Sequence, residues 1–200
     1  MWTARADVRV NGQPTTLEIE LFMRRSTVLP RCRNSLVQDA LDWNAHYLLW
    51  ADGDHHFPRD ALIRLLSHNL PIVGVNYPRR AEPTAPTAVS LEGYLVWTDR
   101  TLAEQGAVQS VAHLGLGLCL IDINVFHAIR ANETEPRPFF AYEMIGDGRQ
   151  IVAEDVGFFR RARDAGFAVH VDHSLSWQVG HLHSRLLTNA HALADREAAV

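Results

Sequence analysis

Tyr47-Leu48-Leu49-Trp50-Ala51-Asp52-Gly53-Asp54-His55-His56-Phe57-Pro58 is the stretch on which the rest of the chain turns. Residues 46–51 are short and mostly apolar, which reads as a buried strand. The run stops at Asp52-Gly53-Asp54. Pro58 then suits the first turn of a helix carrying Ala61, Leu62, Leu65 and Leu66 at helical spacing. Two carboxylates one residue apart, just past a strand, can turn toward one point, and the glycine between them lets the backbone bend and a ligand approach. Such hard oxygen donors suit Mg²⁺ or Mn²⁺, which also bind substrate phosphates. The tripeptide suits a plain turn as well, because Asp-Gly is favoured there. The strand before it and the proline-started helix after it favour the metal.

Outward from this stretch, residues 8–10 and 17–21 alternate apolar and polar, and Asn11-Gly12 between them signals a hairpin. Leu29, Cys32, Leu36, Val37, Ala40 and Leu41 recur at three and four, as on an amphipathic helix. Further on, residues 72–77 read as a strand and 78–86 as a loop rich in proline and arginine. Residues 89–97 and 108–112 read as strands. Gly115-Leu116-Gly117 leads into another apolar run, and 124–130 reads as a short helix. Residues 132–148 are polar and turn-rich apart from Phe139-Phe140. Residues 154–165 are helical by spacing, with Gly166 as the cap and 168–171 as a strand. Strands alternating with helices predict an α/β fold, a mainly parallel sheet flanked by helices on both faces. Ligands bind beyond the carboxyl ends of such strands, where Asp52 and Asp54 fall. No repeat or linker interrupts the pattern, so residues 1–200 read as one domain, with 1–16 an atypical hairpin start and 188–200 a tail.

Composition narrows the partners. The charge is −4 with no lysine-arginine block, which speaks against nucleic acid. Cys32 and Cys119 lack framework spacing and read as reduced thiols. Ala4-Arg5-Ala6-Asp7 breaks any leader-like apolar run, and the longest apolar stretch, 114–123, is too short to span a bilayer and includes Asp122. These features predict a cytoplasmic protein with no transmembrane segment.

Other residues could carry chemistry. Glu154-Asp155 starts a helix, where the dipole favours acids in their ionised form and where a carboxylate can also serve as a base. The helix period turns Val156 and Phe159 inward and Arg160, Arg161 and Arg163 outward, leaving Asp155 over the strand ends. His181 follows Trp177-Gln178-Val179-Gly180 in a turn after a strand. His55, His56, His173 and His183 are its rivals for a metal, and His55 and His56 face opposite ways in an extended segment. Arg33-Asn34 suits either a diphosphate contact or a solvated helix face. Arg79-Arg80, in the mobile loop expected over 78–86, suit closure over a diphosphate, with Arg79 taken as the donor contact. Gly115 and Gly117 suit close approach of a substrate or a tight turn.

In this order the pieces resemble the GT-A glycosyltransferases, most closely small bacterial and phage members of the family-two-like group. The matching stretches are Leu29-Pro-Arg-Cys-Arg-Asn-Ser-Leu-Val, the opening stretch, Pro71-Ile-Val-Gly-Val-Asn-Tyr-Pro-Arg-Arg, Gly115-Leu-Gly-Leu-Cys-Leu-Ile-Asp, Phe139-Phe140, Ala153-Glu-Asp-Val-Gly-Phe-Phe-Arg-Arg-Ala and Val179-Gly-His-Leu. The resemblance runs from about residue 17 to residue 187. The resemblance implies a DxD metal site at Asp52 and Asp54, closed by His181, with Asp54 the more direct ligand of Mn²⁺ or Mg²⁺. It implies Glu154-Asp155 as the catalytic acidic pair, Asp155 being the base, and Arg33 as a donor-side arginine. The implied reaction is attack of an acceptor hydroxyl on a nucleotide-sugar, inverting the anomeric centre while the metal neutralises the leaving diphosphate. One departure stands out: residues 17–22 match the family's second strand, so a short hairpin replaces its first strand-helix unit and the fold reads as N-terminally shortened. Two alternatives stay open: a metal-dependent phosphoester hydrolase using Asp52, Asp54, His55 and His181, and a non-catalytic remnant that binds nucleotide or glycan.

Overall fold

A computed structural model describes residues 2–183 and 186–198. The chain opens on a hairpin in which β1 (Trp2–Val10) pairs antiparallel with β2 (Gln13–Leu21). Asn11 and Gly12 have φ of 51° and 77°, the left-handed pair that a tight hairpin turn requires. This hairpin is a sheet of its own, so residues 17–22 are not a strand of the main sheet, as the resemblance had implied. Asn11 Nδ2 ties its tip to the Ser67 carbonyl at 2.8 Å.

The next elements are α1 (Leu29–Asp42), β3 (Tyr47–Ala51), β4 (His55–His56), α2 (Ala61–Ser67) and β5 (Ile72–Gly74). They are followed by α3 (Arg100–Glu104), β6 (Val108–Val111), β7 (Leu118–Asp122) and α4 (Ile123–Asn132). The hairpin β8 (Glu143–Ile145) and β9 (Gln150–Val152) leads to α5 (Glu154–Asp164). The chain closes with β10 (Val169–Asp172), α6 (His173–Ser176), β11 (Gly180–Leu182), β12 (Leu186–Leu187) and α7 (Asn189–Ala198).

The main sheet has five strands in the order β3-β7-β5-β10-β6. Only β5 and β10 pair parallel; the other three pairings are antiparallel. The expectation of a mainly parallel sheet of the GT-A type is therefore overturned: the sheet is mixed, accompanied by small antiparallel sheets. The misreading has a physical cause. An unbroken apolar run reports burial on both faces of a sheet and carries no sign of strand direction. In β7, Leu118 and Leu120 pack with Leu65, Val73 and Val75 on one face, while Cys119 and Ile121 pack with Val37, Phe126 and Phe158 on the other. Both faces are covered, yet β7 runs opposite to its two neighbours.

Because β3 and β5 are each antiparallel to β7, they run the same way as one another and as β10. The chain after β3, after β5 and after β10 thus emerges at one end of the sheet, where β7 begins. That end carries Asp52, Tyr77 and Gly117.

Several local expectations change. Residues 46–51 form the edge of the sheet rather than a buried strand, with only Trp50 buried in β3. Residues 89–97 form no regular strand; Val89 makes isolated bridges to Leu95 and His113. The polar stretch 132–148 contains β8, whose Met144 is exposed. The described part of the expected tail is α7, anchored by Asn189 Nδ2 donating to the carbonyls of Asn76 (2.9 Å) and Ser176 (2.7 Å). In α5, Phe159 is buried as the period requires, but Arg161 is buried too, paired with Glu133 and donating to the Pro138 and Phe139 carbonyls. Loop 78–86 carries hydrogen bonds from Arg79 N–H to the Ala85 carbonyl (2.8 Å) and from Thr84 N–H to Asp195 (2.7 Å). Cys32 and Cys119 are both free thiols. Among the described residues no helix is long and apolar enough to cross a membrane.

Candidate metal centre at the strand ends

After β3 the chain turns back on itself. Asp52 N–H donates to the Gly117 carbonyl at 2.9 Å, and His55 N–H donates to the Asp52 carbonyl at 3.3 Å. β4 then pairs antiparallel with β11, placing His181 opposite His55. Leu182 N–H donates to the Asp54 carbonyl at 2.7 Å, which locks the two segments together. His181 is thus a strand residue rather than a turn residue. Directly opposed residues share a sheet face, and the two imidazoles stack with centroids 4.3 Å apart and planes 19° from parallel. His56, one residue on, is exposed.

The Asp54 carboxylate meets a nitrogen of each ring. Its Oδ1 is 3.1 Å from His55 Nδ1 and its Oδ2 is 3.4 Å from His181 Nε2. Asp54, His55 and His181 each offer a donor atom within 4.8 Å of the others, the one such trio among the described residues. Arg80 Nη1 also reaches Asp54 Oδ2, at 3.0 Å. Burial pushes the Asp54 carboxyl up, but His181, Arg80 and His55 together outweigh it and hold the group below the usual carboxylate range. His55 goes the other way: burial, then repulsion from His181, lowers it to about 4, so this ring is neutral at ordinary pH. His181 Nδ1 is 2.9 Å from the Pro78 carbonyl, which only accepts, so Nδ1 carries the proton. Nε2 is then the ring atom that faces Asp54 Oδ2, at 3.4 Å. A ligating histidine commonly gives its other N–H to a backbone carbonyl in this way.

Behind this trio is a second group of acids. Burial raises Asp52, with Arg33 opposing and Asp54 adding to the rise. Burial also raises Asp155, against Arg33 and the Val156 N–H that donates to Asp155 Oδ1 at 2.8 Å. Desolvation therefore outweighs the helix dipole at Asp155, the reverse of the sign expected from its place in the first turn. The buried Tyr77 phenol is pushed up by desolvation and then by the charges of Asp52 and Asp155, so it stays protonated. Its oxygen accepts from Gly117 N–H at 3.1 Å, and its ring meets His55 and His181 edge-on at 4.3 and 5.3 Å.

The remaining predicted site residues divide by what they touch. Arg33 is only 5% exposed, forms a buried ion pair with Glu154 and lowers both Asp52 and Asp155, so it steadies the acids instead of standing on a solvated face. Glu154 is occupied by that pair. Asn34 Nδ2 donates to the carbonyls of Pro30 and Phe140 (2.7 Å each) and its Oδ1 accepts from Phe140 N–H (3.1 Å), a structural tie between α1 and the Phe139-Phe140 segment. Of the loop's two arginines it is Arg80 that reaches Asp54; burial lowers His113, with Arg163 and then Arg79 adding to the fall. The spaces beside Gly115 and Gly117 are filled by Tyr77 and His55, so protein rings, not a substrate, make the close approach there. A Cβ on Gly53, by contrast, would meet nothing within 4 Å. His173 is buried between Thr98 (2.9 Å) and Gln109 (3.0 Å), and His183 is exposed. Sequence reasoning gave no site role to Tyr77. The signal available was its place just past a strand on the same sheet end as Asp52.

No family model matches the chain, and no curated protein matches it. Among solved structures it is similar to the one titled "Crystal Structure of A197 from STIV", with a TM-score of 0.53 and 15% sequence identity, over 82% of this chain and 72% of that one. At that identity the likeness concerns the fold alone.

Proposed function

We propose that this chain is a cation-dependent transferase that moves a sugar from a nucleotide-sugar donor to an acceptor hydroxyl. The observation that carries the reading is the pairing of Asp54 with the Nε2 side of His181, whose Nδ1–H is already given to Pro78. Asp54, held ionised, and His181 are the residues to hold a divalent cation, with Asp52 behind them. The cation, Mn²⁺ or Mg²⁺, would supply charge neutralisation for a departing diphosphate. The order of Asp52-Gly53-Asp54, Glu154-Asp155 and His181 along the chain, which resembles glycosyltransferases, supports the same reading.

The chain's own groups then have distinct tasks. Arg80 neutralises Asp54 and sits within reach of an incoming diphosphate, for which a guanidinium is suited. The open space beside Gly53 leaves room for that ligand at the turn. Asp155, raised by burial, is a stronger base than an exposed carboxylate and takes the proton from the acceptor hydroxyl as its oxygen attacks the anomeric carbon. The bond from that carbon to the diphosphate oxygen breaks, and the nucleoside diphosphate leaves. Arg33 keeps Asp155 and Asp52 from rising further. Environments that push two carboxylates in opposite directions, Asp54 down and Asp155 up, are the pattern that separates a charge-holding acid from a base.

Transfer from labelled nucleotide-sugars to a glycan and lipid acceptor panel tests the reading. Asp155→Asn should keep donor binding and lose roughly 10²- to 10⁴-fold in transfer. Wild-type transfer by that variant removes Asp155 from the mechanism. The nitrogen donor of His55 beside Asp54 favours a second reading, hydrolysis of phosphoesters. Cation-dependent cleavage of an activated phosphodiester without sugar transfer would favour it.

A further inference from the structure

The proposed cation site has a third donor that the family resemblance does not assign. We infer that Asp54, His55 and His181 form a two-imidazole, one-carboxylate site that takes a borderline cation of the Mn²⁺, Co²⁺ or Zn²⁺ kind in preference to Mg²⁺. The inference rests on the reading that Asp54 and His181 hold a cation, and it adds the third ligand and the selectivity.

Spacing supports it first. Donors at roughly 2.0–2.2 Å from one cation, at octahedral to tetrahedral angles, stand about 3 to 3.5 Å apart. Asp54 Oδ1 to His55 Nδ1 is 3.1 Å and Asp54 Oδ2 to His181 Nε2 is 3.4 Å. Burial is the second, independent observation. The His55 side chain is 1% exposed; its Nδ1 meets Asp54 Oδ1, while its Nε2 is buried beside Gly117 without a hydrogen-bond partner. An imidazole buried at such a cost is poorly explained as packing alone. The scaffold is the third. Cross-strand pairing of His55 with His181, the Pro78 carbonyl on His181 Nδ1, and the Leu182 bond to Asp54 hold the donors on two paired strands rather than on a free loop. Imidazole nitrogen suits first-row transition metals and zinc, whereas Mg²⁺ prefers an all-oxygen, partly hydrated shell. Two nitrogens in three donors therefore disfavour Mg²⁺.

Titration of the purified full chain with Co²⁺, Zn²⁺, Mn²⁺ and Mg²⁺ singly, by calorimetry and by the Co²⁺ visible spectrum, tests the inference without any activity readout. The wild type should bind one Zn²⁺ or Co²⁺ and bind Mg²⁺ far more weakly. His55→Asn should weaken Zn²⁺ and Co²⁺ binding by more than roughly tenfold, since even outer-shell partners of a ligand are worth that much. His56→Asn, altering the exposed neighbour, should leave binding unchanged. If His55→Asn does not fold, zinc-edge X-ray absorption of the wild type still decides, because it counts imidazole ligands directly and should find two. One imidazole, or Mg²⁺ bound as tightly as Zn²⁺, overturns the inference and leaves the transferase reading standing. Absence of any cation binding overturns both.

Discussion

Gly117→Ala gives the sharpest mechanical test of how the site is built. Gly117 N–H donates to Tyr77 and its carbonyl accepts from Asp52, so its backbone is fixed from both sides. An added Cβ would stand 2.8 Å from Tyr77 Cε1 and closer still to Cε1 and Nε2 of His55, where ordinary contact begins at 3.4 Å. The rings must retreat by roughly half an ångström or more, a strain that in a packed interior costs about 1–3 kcal/mol. For a chain of this size that is a fall in Tm of about 2–12 °C. The same displacement moves His55 Nδ1 from Asp54, so cation affinity should fall with stability. Gly53→Ala is the control: its Cβ meets nothing, so stability should stay within about 1 kcal/mol of the wild type. Denaturant unfolding of both variants, with and without Zn²⁺, measures the two effects. Wild-type stability and cation affinity in Gly117→Ala would refute the packing of His55 and Tyr77 described here.

Other consequences follow from single contacts. Arg161→Met leaves Glu133 with only the half-exposed Arg137 as partner and should destabilise by about 3 kcal/mol in urea unfolding, as expected when one member of a buried pair is lost; a change within a few tenths would contradict that pairing. Arg80→Gln removes an exposed guanidinium from Asp54, worth at most about 1 kcal/mol, so cation affinity should rise by up to about fivefold while nucleotide affinity falls; calorimetry reads both, and a drop in cation affinity would contradict it. His55 is held at about 4 against an ordinary 6.5, so between those values the unfolded chain takes a proton that the folded chain refuses. Stability should therefore fall as pH drops through that window, by a total on the order of 3 kcal/mol, and less steeply in His55→Asn. Denaturation midpoints across the window check this, and equal slopes would contradict it.

How much of this was readable in the sequence depends on what each signal encodes. Asn11-Gly12 specified its hairpin because the turn demands two left-handed residues, and Gly166, at φ 92°, ended α5 for the same reason. The helical spacing of Leu36, Val37 and Ala40 located α1. Strand direction was not encoded: Leu118 to Ile121 would look the same in either direction, and their antiparallel placement turned an expected parallel sheet into a mixed one. Arg161 misled because a charged residue on a helix reads as outward, and its partner Glu133 lies on a distant segment. At the site, Asp52 and Asp54 stood out because a strand end and a Pro-started helix frame them, but only Asp54 joins the trio with His55 and His181. His55 was weighed as a rival to His181 and as a ligand in the hydrolase alternative, not beside His181 in the transferase site, since its pairing with His181 joins residues far apart in the chain. Arg79 and Arg80 were indistinguishable until the loop geometry brought Arg80 to Asp54.

The central claim is that the carboxylate at Asp54 and the ring of His181 hold a cation that binds a nucleotide-sugar. Calorimetric titration of a nucleotide-sugar panel into wild type and Asp54→Ala, with and without Mn²⁺, tests it most directly. Asp54 is at the rim, 35% exposed in its side chain, so the variant should keep its fold, which thermal unfolding verifies. The account predicts that at least one donor binds the wild type only when Mn²⁺ is present, and that this binding is lost in Asp54→Ala. Binding that is indifferent to Mn²⁺ and to Asp54, or no binding by any donor, would contradict it.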